Sequence, residues 1–240
     1  ERDDVIEADR KLSKDAKYIV AFDPLDGSSN IGSNIPVGTI FTIFRRATKG
    51  STPTKEDFLQ PGTKLVAAGY SVYGAKTSFV YSTGKGAHDF TLDPTIGEFI
   101  LTEKKIQIPQ EGNIFSTNEG YSTLWDNDLL NYISHLKSEN NVLKQPYTAR
   151  YVGSLVADFD RTIRKGGIFL YPPNKKYKSG KLRLLYEVMP LSFIAENAGA
   201  VALDGSRRVL DIVPESIHQR AGLVVSSPRE IEEYKKWLKI

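Results

Sequence analysis

The stretch YIVAFDPLDGSSN, residues 18–30, decides how the first half of this chain is read. Residues 18–22 carry the β-branched and aromatic content of a buried strand. They run directly into two aspartates, a proline, a glycine and two serines, so the strand is expected to stop at Asp23, with Pro24 turning the chain. Asp26, three residues on, can then fold back so that both carboxylates and the Leu25 carbonyl face one point. Oxygen donors at that density suit Mg²⁺ or Mn²⁺. Gly27-Ser28-Ser29-Asn30 adds a glycine that admits a ligand to the backbone, and N–H groups that begin a helical turn, an ordinary phosphate cradle. The same residues also fit a plain strand-to-turn element in which Asp and Ser satisfy their own backbone. The stretch by itself leaves both readings open.

Further strand signals lie at 38–44, 64–74, 78–84, 88–92 and 98–102, separated by turn formers such as Gly62, Gly74, Gly84-Lys85-Gly86 and Asp93-Pro94. Residues 49–62, polar and proline-rich, read as a long loop. From about residue 107, longer segments of helical period alternate with apolar strands. One helix is expected over 123–140, capped by Thr123, with Leu124, Leu129, Tyr132, Ile133 and Leu136 on one face. A second, over 153–167, closes at Gly166-Gly167 and feeds the strand IFLY. A third spans 184–200, with Pro190 in its first turns or at a kink and Gly199 as its stop. A fourth runs over 228–239 behind Pro228. The pattern is α/β, in two packed subdomains, 1–106 and 107–240, with no flexible linker between them.

The chain has 240 residues, 40% of them hydrophobic, enough for a substantial core. Its net charge of +3, from 32 basic and 29 acidic side chains, is weak evidence for a nucleic-acid surface and compatible with a local anionic ligand. With no cysteine, disulfides, thiolate metal sites and cysteine nucleophiles are excluded within these residues. No apolar run approaches the ~18–20 residues of a spanning helix, and nothing resembles a signal peptide. The sequence opens at Glu1 and its one methionine is Met189, so it reads as part of a longer chain.

FDPLDGSSN resembles the metal-binding signature of the lithium-sensitive sugar-phosphatase superfamily, and the likeness to its fructose-1,6-bisphosphatase family is closer still. It extends over almost the whole chain, through VGTIF (37–41), LVAAGYSVYG (65–74), LDPTIGEFIL (92–101), NEGY (118–121), ARYVGSLVAD (149–158), GGIFLYP (166–172), GKLRLLYE (180–187) and HQRA (218–221). The resemblance implies a layered α/β/α/β/α sandwich and hydrolysis of a sugar phosphate monoester. Asp23, the Leu25 carbonyl, Asp26 and Glu187 would hold two to three ions of Mg²⁺, or of Mn²⁺ or Zn²⁺. Gly27, Ser28 and Ser29 would hold the 1-phosphate that leaves. Asn118, Tyr121, Arg150, Tyr151, Tyr171, Lys181 and Arg183 are similar to residues that grip the sugar and its 6-phosphate. Attack would come from an ion-activated water, without a covalent phospho-enzyme. The equivalent of Arg150 reaches a neighbouring subunit's site in the family, which implies a homo-oligomer, dimer or tetramer. Lys17, Tyr18 and Arg45 match positions that contact the inhibitor AMP. Glu1 falls about where the second of an adjacent catalytic glutamate pair lies, with the first glutamate and further aspartates upstream. A chain that truly began here would be expected to be metal-poor and nearly inactive. The resemblance also implies a cytoplasmic enzyme of gluconeogenesis or a related carbon cycle, and the regulatory cysteine loop of plastid forms is missing.

Taken singly, these residues have plainer readings. Glu187 fits a solvated helix glutamate, Tyr121, Tyr151 and Tyr171 half-buried core tyrosines, and Lys181 and Arg183 a solvated face. Lys17, Tyr18 and Arg45 fit a strand edge with no ligand. Sedoheptulose bisphosphate is an alternative substrate, and an inositol phosphate is disfavoured by NEGY, ARY and GKLRL. A further alternative is a metal- and sugar-phosphate-binding regulatory module without catalysis.

Overall fold

A computed structural model describes residues 16–48 and 53–240. The first half folds as an antiparallel meander in which each strand pairs with the next: β1 (Tyr18–Asp26), β2 (Val37–Arg45), β3 (Leu65–Tyr73), β4 (Thr77–Ser82), β5 (Ala87–Asp93) and β6 (Glu98–Ile106). The alternation of β2 explains its place. Gly38, Ile40, Thr42 and Phe44 are buried on one face, and their neighbours lean to the other. That other face carries contacting rings of Phe41, Phe79, Tyr81 and Phe90.

The second sheet mixes directions, in the order β11 (Val201–Leu203), β13 (Leu223–Ser226), β9 (Ile168–Tyr171), β7 (Ile114–Thr117) and β8 (Thr148–Ala149). The β9–β7–β8 pairs are parallel and the other two antiparallel. A two-stranded ribbon, β10 (Leu182–Arg183) with β12 (Arg220–Ala221), lies beside it.

Helices α2 (Leu155–Lys165) and α3 (Met189–Asn197) lie between the two large sheets. Phe159, Ile163, Leu191 and Ile194 share one apolar core with Ile40, Phe44, Tyr70 and Val80. Helices α1 (Asn127–Leu136) and α4 (Pro228–Leu238) cover the outer face of the second sheet, where Leu129, Tyr132, Ile231 and Tyr234 meet Phe115, Leu170 and Val224. The result is the expected α/β sandwich, layered β/α/β/α among the described residues. No helix there is long and apolar enough to cross a membrane.

Four local expectations are corrected. β1 does not stop at Asp23. It continues to Asp26 through a bulge, since Asp23 faces Ile40 and Asp26 faces Gly38, three steps on one strand against two on the other. A proline at Pro24 is tolerated there because β1 is an edge strand and a bulge leaves a residue out of the ladder. Helix α1 starts at Asn127, not near 123. Asp126 caps it by accepting from the Leu129 N–H at 2.8 Å, and residues Glu119–Leu124 form a separate 3₁₀ turn. The single helix expected over 184–200 is a π turn, Leu184–Val188, followed by α3. Pro190 has no N–H to give the carbonyl four residues back, so the ladder widens just ahead of it. Within the loop expected at 49–62, residues Lys55–Phe58 and Gly62–Lys64 form short 3₁₀ turns, and 49–52 lie outside the described residues.

Candidate active site

The bulge in β1 sets Asp23 and Asp26 side by side, and the π turn brings in Glu187. Carboxylate oxygens of all three lie within 4.8 Å of one another. The local fold prepares each of them. Thr39 Oγ1 donates to the Pro24 carbonyl at 2.9 Å and holds the bulge. Asp23 Oδ1 accepts from the Leu25 N–H at 3.0 Å, so part of the plain-turn reading is realised beside the site reading. Asp26 is 7% exposed, and its Oδ2 accepts from the Val156 N–H, in the first turn of α2, at 3.2 Å. Glu187 Oε2 accepts from the Arg183 N–H at 2.8 Å, so this glutamate faces inward rather than into solvent.

Burial, opposed by the Val156 N–H and reinforced by Asp23, pushes the Asp26 carboxyl up to about 7. Burial likewise raises Glu187 to about 8, with the Arg183 N–H opposing and the two aspartates adding to the rise. Buried carboxylates that crowd each other in this way disfavour one another's charge, and the Arg183 guanidinium offsets this at Glu187 in part. Hard oxygen donors in such a group fit a divalent cation of the Mg²⁺ or Mn²⁺ kind.

Gly27, in the left-handed region at φ 75°, ends the bulge and opens a 3₁₀ turn, Ser28–Ser33, with both serines exposed. Asn30 Nδ2 donates to the Gly153 carbonyl at 3.0 Å and ties this turn to the loop before α2. A cavity of about 290 Å³ opens here, lined by Asp26, Gly27 and Glu187 together with Gly153, Tyr151, Tyr171 and Lys181. Tyr171 stands at the end of β9, and Lys181 directly precedes β10. The Lys181 ammonium is held above its ordinary value, chiefly by the Tyr171 hydroxyl and then by Tyr121 and Tyr177, against partial burial. Burial pushes Tyr171 up to about 12, with Lys181 pulling it down, and burial followed by Asp158 raises Tyr151. Tyr121 and Asn118 line a small recess next to Tyr171.

Two remote sequence blocks thus meet in one cavity, and each falls within the span of a different family model. A model described as the N-terminal domain of fructose-1-6-bisphosphatase matches residues 1–104, and one described as its C-terminal domain matches 108–239. The chain belongs to the fructose-1,6-bisphosphatase family. It is therefore a phosphoric monoester hydrolase of carbohydrate metabolism, from a metal-dependent family that acts on a sugar bisphosphate.

Some residues that the bisphosphatase resemblance singled out stand apart from the cavity. Arg150 is exposed and bonds the Ala149 carbonyl at 3.3 Å. The Arg183 guanidinium reaches the His218 carbonyl at 2.9 Å. Tyr18 and Arg45 face each other across β1 and β2, the guanidinium 5.1 Å from the ring centroid, near the far end of β1 from Asp26. Lys17, exposed, holds Arg46 N through its carbonyl at 3.0 Å. Glu1 lies outside the described residues. Sequence reasoning gave no role to Thr39, Gly153 or Asp158, and it read Asn30 only as part of the phosphate cradle. The signal available for Asp158 was its position on the buried face of α2, one turn past Ser154, where a charge needs partners.

Proposed function

We propose that the chain is a Mg²⁺-dependent enzyme that removes the 1-phosphate of fructose 1,6-bisphosphate, releasing fructose 6-phosphate and phosphate. The observation that carries this reading is one cavity lined both by a carboxylate cluster and by a lysine–tyrosine cluster. A substrate with two phosphates needs both: a cation-holding group for the one that leaves, and a fixed cation with hydroxyl donors for the one that stays.

In this reading Asp23, Asp26, Glu187 and the Leu25 carbonyl hold two to three ions, which supply charge neutralisation and an acidic water. Gly27, Ser28 and Ser29 receive the leaving phosphate with N–H and hydroxyl groups. Lys181, Tyr171, Tyr151, Tyr121 and Asn118 hold the retained phosphate, so the sugar is fixed and the 1-phosphate is presented in line. Residues 1–106 then form the metal side and 107–240 the sugar-phosphate side. Arg183, through its N–H, orients Glu187. Arg150, exposed and outside the lining of its own cavity, is available to a second copy, in keeping with a homo-oligomer. The stacked Tyr18–Arg45 pair supplies an aromatic face and a cation for AMP. The setting proposed is cytoplasmic gluconeogenesis.

Replacing Asp26 by Ala should reduce Mg²⁺-dependent phosphate release by at least a thousandfold while the circular dichroism spectrum is retained. Turnover like wild type in that variant rejects the site. Release rates from fructose, sedoheptulose and inositol phosphates under the same conditions fix the substrate, and a wild-type rate highest on another of these replaces the fructose reading.

A further inference from the structure

Asp158 is the group through which the segments around the cavity are referenced to one another. It is fully buried, and both of its oxygens are used. Oδ1 accepts from Ser116 Oγ at 3.0 Å, from the Val152 N–H at 3.0 Å and from Arg161 Nη2 at 2.8 Å. Oδ2 accepts from the Gly153 N–H at 2.9 Å and the Val152 N–H at 3.2 Å. The donors come from different places. Ser116 belongs to β7, whose end leads to Asn118 and the 3₁₀ turn holding Tyr121. Val152 and Gly153 belong to the loop that carries Tyr151, and Gly153 takes up the left-handed φ of 83°. Through its carbonyl, Gly153 also receives Asn30 from the turn that follows Asp26. Asp158 itself lines the cavity.

We propose that Asp158 is a positioning residue for substrate specificity: it fixes the Tyr151 loop against the Asn118–Tyr121 segment, and so sets the grip on the phosphate that is retained. The inference rests on the two-ended reading of the cavity given above. A carboxylate is required because every partner is a donor. In Asp158→Asn the NH₂ meets obligatory donors in either orientation, Val152 N–H and Arg161 on one side or Val152 N–H and Gly153 N–H on the other, and the loop must move to relieve it. The metal cluster is held by other bonds, from Val156 and Arg183, and is affected less.

The test is steady-state kinetics of Asp158→Asn and Ser116→Ala on fructose 1,6-bisphosphate at saturating Mg²⁺, with calorimetric binding of fructose 6-phosphate. Asp158→Asn is expected to raise KM and weaken fructose 6-phosphate binding about tenfold, with kcat reduced less than threefold and the Mg²⁺ midpoint moved less than twofold. Ser116→Ala, which removes only the β7 bond, should shift KM the same way by about threefold, and it carries the test if Asp158→Asn does not fold. A fall in melting temperature with KM and product affinity within twofold of wild type in both variants overturns the proposal and leaves Asp158 a structural residue. The outcomes also separate the two readings. A wild type that binds fructose 6-phosphate no better than fructose defeats the two-ended cavity. A wild type that discriminates, beside variants that match it, defeats only the role of Asp158.

Discussion

Gly27 and Gly38 serve the same bulge for different physical reasons. Gly27 is needed for its backbone angle. A Cβ there would meet nothing closer than Asn30 Nδ2 at 3.5 Å and Ser154 Oγ at 3.6 Å, but φ is +75°. Gly38, the partner of Asp26 across β1 and β2, is needed for space, since a Cβ would lie 2.2 Å from the Ser71 carbonyl and 2.8 Å from Val156 Cγ2. Gly27→Ala is therefore expected to cost about 1–2 kcal/mol in urea unfolding, the ordinary penalty for a left-handed residue with a side chain. Gly38→Ala should cost more, because backbone must part, and it also displaces Val156, whose N–H holds Asp26. A larger loss for Gly27→Ala than for Gly38→Ala would contradict this account.

At the scale of elements, α2 is anchored at both ends. Its start holds Asp26, and its last turn holds an ionic group under the first sheet. Arg164 contacts Asp89 at 3.1 Å, Glu103 at 2.9 Å and Asp160 at 2.9 Å, while the buried Tyr70 hydroxyl donates to Asp160 at 2.7 Å. Asp89 is 1% exposed, so removing its arginine leaves a buried charge with Lys76 at 2.9 Å as its remaining cation. Arg164→Met is expected to destabilise the fold by about 3 kcal/mol, at the low end for a broken buried pair, and adding Asp89→Asn should recover part of it. Additive losses in the double variant, read from urea denaturation, would show that the two are not coupled. The strands of the first sheet were legible in the sequence because a meander pairs neighbours, so period-two alternation and intervening turn formers suffice. The start of α1 and the break at 184–188 were not. Thr123 and Asp126 are both good caps by residue type, and only packing of Trp125 and Leu129 selects the second. The π turn needs Pro190 and the fixed anchor of Thr42 on the Leu185 carbonyl at 3.3 Å, a contact between residues 143 apart in sequence. The carboxylates at 23 and 26 were legible as a candidate cluster because their spacing is local. Glu187 and Lys181 joined it only through the resemblance, since nothing in their own neighbourhood distinguishes them from surface charges. Asp158 went unassigned because, Arg161 apart, its partners are contributed by a strand and a loop outside its own helix.

On the scale of the whole molecule, the carboxylate cluster joins the edge of the first sheet to the segment that leads into α3, so its charge state bears on global stability. The sign follows from the raised values. Asp26 stands at about 7 against an ordinary 3.8, and Glu187 at about 8 against 4.5. Between pH 4 and 8 the native protein therefore holds protons that the unfolded chain has released, and the metal-free fold loses stability as pH rises through that window. A divalent cation competes for the same oxygens, so its binding expels protons there and tightens with pH. Asp26→Asn removes one charge without changing shape. Without metal, the variant is expected to melt several degrees above wild type at pH 8, and the gap should narrow towards pH 5, where Asp26 is already protonated. With millimolar Mg²⁺ at pH 8 the order should reverse, because only wild type gains the full linkage with the cation. Scanning calorimetry at the two pH values, with and without Mg²⁺, reads all four terms. A gap of the same size and sign at pH 5 and pH 8 would sink the argument, since it would mean that Asp26 acts through packing and not through its charge.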